Sequence, residues 1–146
     1  MTDDDSPGDA ARRARSTAKT AVVLAPHAFV IWLGCALTVA LGREALGLPT
    51  ALRLHAMAAP VLAGLVSLVY FQRFHATTPL RAAVFFVSFA LLLDAMVVAP
   101  IFERSYVMFS SLLGTWLPLL SVFLATYLTG TWITRRSAAR AVRRHI

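Results

Sequence analysis

An all-α membrane protein, built as an antiparallel up-down-up-down bundle of four transmembrane helices, is the fold class this sequence predicts. Three observations lead there. Four apolar runs are each long enough to cross a hydrocarbon core, which takes about 20 residues of helix. Of the 146 residues, 58% are hydrophobic and only 14% charged, more apolar side chain than a soluble domain of this length hides. The charges also gather at the ends of the runs, as membrane flanks do, instead of spreading over one face.

Residues 1–20 form a polar leader whose start, Thr2 to Asp9, has no apolar face and is expected to be disordered in the cytoplasm. The first span, 21–42, follows Lys19. Within it, Trp32-Leu33-Gly34-Cys35 resembles the end of a lipobox. Trp stands where a small aliphatic residue belongs, however, and the motif lies deep in the run, so the span is read as uncleaved. The second span, 51–71, is entered through Pro49 and Thr50 and left through Gln72 and Arg73. The third, 80–102, has a marked start: Thr78 suits an N-cap, and Pro79 suits the first helical position, where its missing N–H costs nothing. The fourth, 111–133, ends at Thr134-Arg135-Arg136 and leads into a basic tail, 134–146. Short connections make neighbours in sequence antiparallel neighbours in space. No internal repeat suggests an inverted-repeat transporter within one chain.

Orientation follows from the basic residues. Arg12, Arg13, Arg15 and Lys19 precede the first span; Arg73, His75 and Arg81 flank the middle connection; Arg135, Arg136, Arg140, Arg143 and Arg144 follow the last. The other two connections offer Arg43, Arg53 and Arg104, partly offset by Glu44 and Glu103. Both termini are therefore expected in the cytoplasm, in a bacterial inner membrane.

Function is expected around Asp94, a carboxylate 12 to 14 residues inside the third span and so ~18–21 Å deep at the helical rise. An ionisable group at membrane depth is costly and usually retained for a reason. Its own helical face (Val87, Ala90, Leu91, Val98, Ile101) carries no polar partner. Depth counting nominates Ser121, Thr38 and His55 on other spans. Pro60 and Pro118, inside spans, free the carbonyls of Ala56 and Gly114. Asp94, Ser121 and His55 are thus the candidate proton or cation site. The competing reading is a protonated Asp94 that hydrogen-bonds a neighbouring helix and cements the fold.

The remaining patterns are structural in character. Gly114, Pro118 and Ala125, with Ser111, Ser121 and Thr129, form a stripe of small residues that suits helix packing, within the chain or between copies. Tyr70, Phe71, Tyr106, Phe109, Trp116 and Trp132 lie near span ends, as interfacial anchors do. Glu103 and Arg104 form an outer polar cluster opposite Arg43 and Glu44, and His55 is expected near that interface, paired with water or Glu103. Arg136, Arg140, Arg143 and Arg144 share one side of a helix that suits the anionic lipid of the inner leaflet.

Neither a catalytic motif nor a metal-ligand spacing is present, the four histidines do not pair at one depth, and Cys35 is the single cysteine. The expectation is a non-enzyme without cofactor or metal, and without nucleic acid as partner. Its partners would be lipids and either further copies of itself or another membrane protein. The leading function is a small transporter or proton- or cation-coupled protein using Asp94. The alternative is an accessory, scaffold or regulatory subunit.

Overall fold

A computed structural model describes residues 7–74 and 76–143, and everything regular in it is helical. The order is α1 (Pro7–Leu46), α2 (Leu48–Arg73), α3 (Pro79–Leu93), a π-helical segment (Asp94–Glu103), a 3-10 turn (Val107–Ser110), a second π-helical segment (Leu112–Trp116) and α4 (Leu117–Arg143). Four helical stretches are long and apolar enough to cross a membrane: Arg15–Leu46, Leu48–Arg73, Pro79–Glu103 and Leu112–Arg140.

The helices run further than the apolar pattern alone. The leader expected to be disordered is helical from Pro7 onward, while residues 1–6 lie outside the described residues. The reason is local: Pro7 suits the first helical turn, and Ala10, Ala11, Arg12, Arg13 and Ala14 are strong helix formers that extend a helix already nucleated in the span. The expected basic tail likewise continues α4 as far as Arg143. The expectation for the Arg143 and Arg144 side chains, like that for His75, falls outside the described residues.

Gly47 alone separates α1 from α2. Its φ of 79° lies in the left-handed region where glycine is at ease, so the chain reverses without a loop. A Cβ at Gly42 would lie 3.1 Å from Ala51 Cβ, which shows how closely the two helices meet beside that turn. Thr78 caps α3 as its position suggests, its hydroxyl accepting from Arg81 N with Pro79 at the first position.

Packing is inverted relative to a soluble domain. Buried positions are dominated by small residues: Ala28, Ala51, Ala59, Ala63, Ser67, Ala82, Ala83 and Thr126. Large apolar residues such as Met57, Leu65, Val69, Leu92, Met96 and Leu120 face outward. Hydrocarbon solvent makes outward leucines costless, and small inward residues let backbones approach. α2 packs against α1 and α4, and α3 packs against α4 and less extensively against α1. Between α2 and α4 the buried hydroxyl of Ser67 donates to Thr126 Oγ1 at 3.1 Å.

One end of the core differs from the rest. Tyr70, Phe71 and Phe86 are the largest fully buried side chains, and Tyr70 packs edge-on to Phe71 with centroids 4.9 Å apart. This corrects the expectation that Tyr70 and Phe71 anchor the interface. Phe71 finds its inward space at Gly130 of α4: a Cβ there would lie 2.6 Å from Phe71 Cε2 and 2.9 Å from Pro79 Cβ. Tyr106, Trp116 and Trp132 do face outward.

Candidate functional site: Asp94 and its surroundings

α3 stops being α-helical at Asp94. From there to Glu103 the backbone is π-helical, and the ladder contains Pro100, which has no N–H to donate. The segment closes at Arg104, whose φ of 48° is left-handed, with Arg104 N and Ser105 N both donating to Ala99 O. The fourth span repeats the pattern. Ser111 Oγ accepts from Gly114 N, Leu117 N donates to Leu112 O, and Pro118 follows where no N–H is available. Both wide turns thus sit beside prolines, and such turns recur at functional positions.

Asp94 Oδ1 accepts a hydrogen bond from Trp32 Nε1 of α1 at 2.9 Å, with both side chains part-buried. Trp32 is not among the partners that depth along the spans nominates. The indole N–H is a donor only, so it suits a carboxylate or carboxyl acceptor in a part-buried position. The nominated partners are engaged elsewhere. Ser121 Oγ donates to Pro118 O at 2.8 Å, and Thr38 Oγ1 donates to Gly34 O at 2.8 Å, both within their own helices. Among the described residues no hydrogen bond joins Asp94 to Ser121, Thr38 or His55.

His55 is buried between the helices, and among the described residues Glu103 pairs with Arg43 and not with it. His55 occupies the inward stripe of α2 with Ala51, Ala59, Ala63 and Ser67, each four residues from the next, so helical periodicity carries it into the core. Its Nδ1 has no hydrogen-bond partner. The other spanning histidine, His27, donates from Nδ1 to Val23 O at 2.8 Å and packs edge-on to Tyr70 and Phe74.

At the far end of the π-helical segment, Glu103 pairs with Arg43 of α1 at 2.7 Å across an exposed contact. Arg104 is exposed beside it. The first and third spans are thereby tied twice, once by the part-buried contact of Trp32 with Asp94 and once by an exposed ion pair. Exposed pairs contribute little, about 0–1 kcal/mol, so the part-buried tie is the specific one.

The small stripe of the fourth span lies against α2 of the same chain. A Cβ at Gly114 would lie 2.9 Å from Ser111 Oγ and 3.6 Å from Leu52 Cδ2, Pro118 is buried, and Ala125 packs on the core. Arg136 and Arg140 are exposed on α4, and the Arg136 guanidinium sits 3.8 Å from the centre of the Trp132 ring. Among the described residues no three of His, Cys, Asp and Glu come together as a metal site. Comparison of the chain with protein-family models, curated proteins and solved structures returned no match.

Proposed function

We propose that the chain is a small proton- or cation-coupled membrane protein whose working group is Asp94. The observation that carries this reading is the deep carboxyl group held by Trp32 at the first residue of a π-helical segment. Intramembrane carboxyls mark ion pathways and proton relays more often than they mark packing. The indole satisfies one oxygen. When Asp94 is ionised, its second oxygen needs a cation or a donor; when it is protonated, that oxygen needs an acceptor. Gain or loss of one proton therefore changes the bonding demand at the point where the backbone leaves α register. A segment that can wind as α or π supplies two discrete arrangements for that demand to bias. His55, with an unpartnered ring nitrogen inside the core, is the second group able to take up a proton.

The frame for this chemistry is an antiparallel up-down-up-down bundle in a bacterial inner membrane, with both termini cytoplasmic. Reporters fused after Thr20, Leu48, Thr77, Ser105 and Ile146 are expected to read in, out, in, out, in, and a cytoplasmic signal from the 43–50 connection overturns that frame. Four helices alone rarely enclose a polar path, so a homo-oligomer or a partner membrane protein completes it.

A second reading, an accessory or scaffold subunit, is favoured by one observation. Ser121 and Thr38 spend their hydroxyls on their own helices, so among the described residues Asp94 is tied to Trp32 alone, like a fixed fastening between spans. Infrared difference spectra of wild type and Asp94→Asn, taken from about pH 4 to 9, separate the two readings. The coupled reading predicts a carboxyl C=O band that disappears as pH rises and is missing from the variant. A band constant over the whole range supports the fastening and sinks the coupled reading.

A further inference from the structure

A groove of about 980 Å³ runs along the outside of the molecule between α2 and α4. Its floor and walls are apolar over the span, with Pro60, Val61, Gly64 and Leu65 on α2 facing Leu128 and Trp132 on α4. Among the described residues its charged lining comes from Arg135 and Arg136 at one end, with no acidic side chain. That end is where α4 leaves its apolar stretch. Trp132, half-exposed, underlies Arg136 at 3.8 Å, which holds one guanidinium beside the groove mouth. Gly64 keeps the floor open: a Cβ there would meet nothing nearer than Thr129 Oγ1 at 3.9 Å.

We propose that this groove is a binding site for an anionic phospholipid, with an acyl chain along the apolar trough and the phosphate held by Arg135 and Arg136. The division of chemistry is what selects the ligand. An apolar trough suits an acyl chain, and two arginines lining the same end of it suit a phosphate, to which each can present N–H donors. A soluble phosphate would use the arginines and leave the trough idle; a neutral lipid would use the trough and gain less from the arginines. A partner helix seated here would have to bring its own anion to the arginine end. The proposal needs the spans to cross a bilayer but does not depend on what Asp94 does.

The test is phospholipid retention by the purified full chain, followed by native mass spectrometry after incubation with phosphatidylglycerol or phosphatidylcholine. Wild type is expected to retain phosphatidylglycerol in preference, and Arg135→Gln and Arg136→Gln to lower that preference about fivefold each. Gly64→Leu fills the trough while sparing both arginines, and is expected to reduce retention of either lipid without loss of folded protein. Equal retention of the two lipids by wild type overturns the proposal. So does retention unaffected by Gly64→Leu, which marks a headgroup or free-phosphate contact only. A wild-type dimer that Gly64→Leu dissociates also overturns it, since the groove then holds a second copy.

Discussion

Gly130→Leu is expected to leave little folded protein in the membrane. The added side chain would project into Phe71, a ring that is itself 1% exposed and wedged edge-on against Tyr70, with Pro79 closing the other side. Neither the ring nor the proline has room to yield, so three helices must separate where α2 ends, α3 begins and α4 crosses them. Overpacking a tight core costs about 1–3 kcal/mol when neighbours can adjust, and here they cannot, so the loss should reach or exceed the top of that range. Gly34→Ala is the control. A Cβ at Gly34 would lie 2.9 Å from Leu62 Cδ1, the flexible end of a side chain that can rotate away. Thermal unfolding in detergent should show Gly34→Ala close to wild type and Gly130→Leu aggregated or melting far lower. A wild-type melting curve for Gly130→Leu would mean that the aromatic end of the core is looser than this packing implies.

Trp32→Phe is expected to destabilise the protein by about 1–3 kcal/mol, the cost of leaving a part-buried acceptor without its donor. Asp94→Asn should cost much less, because its amide oxygen can still accept from the indole. The pair of substitutions therefore separates two roles of one contact. Trp32→Phe breaks the tie between the first and third spans and leaves the titratable group. Asp94→Asn removes the titratable group and leaves the tie. If both melt like wild type, the indole–carboxyl bond contributes nothing to the fold.

Much of this architecture was legible from the residues. Apolar run length set the four spans, because backbone polar groups in hydrocarbon must pair within a helix. Thr78 and Pro79 announced the start of α3 through capping chemistry that is local and so visible in sequence. What escaped was non-local or depended on helical pitch. Depth along the spans points to hydroxyls and an imidazole for Asp94, whereas the donor is the indole N–H of Trp32, on a mostly apolar side chain. Periodicity of 3.6 residues also misplaces faces beyond Asp94, where the ladder is π-helical. Pro100 was the available signal for that change, and Pro118 for the second wide turn. Distance to the helix end places His55 along its span but not around it; its four-residue spacing from Ala51 and Ala59 is what turns it inward. The inward turn of Phe71 depends on a glycine about 60 residues away in the chain, a complementarity that no window along the sequence contains.

Flux through reconstituted liposomes tests the role of Asp94 most directly. Wild type, Asp94→Asn and Trp32→Phe are incorporated at equal amounts, and the decay of an imposed proton or monovalent-cation gradient is followed with an entrapped indicator. Wild type should dissipate one of the gradients faster than empty liposomes. Asp94→Asn should fall to the empty-liposome rate while remaining folded, and Trp32→Phe should keep measurable flux in proportion to the protein that stays folded. Flux by Asp94→Asn equal to that of wild type, or no flux by wild type above empty liposomes under either gradient, would contradict the proposal and leave Asp94 as a fastening between helices.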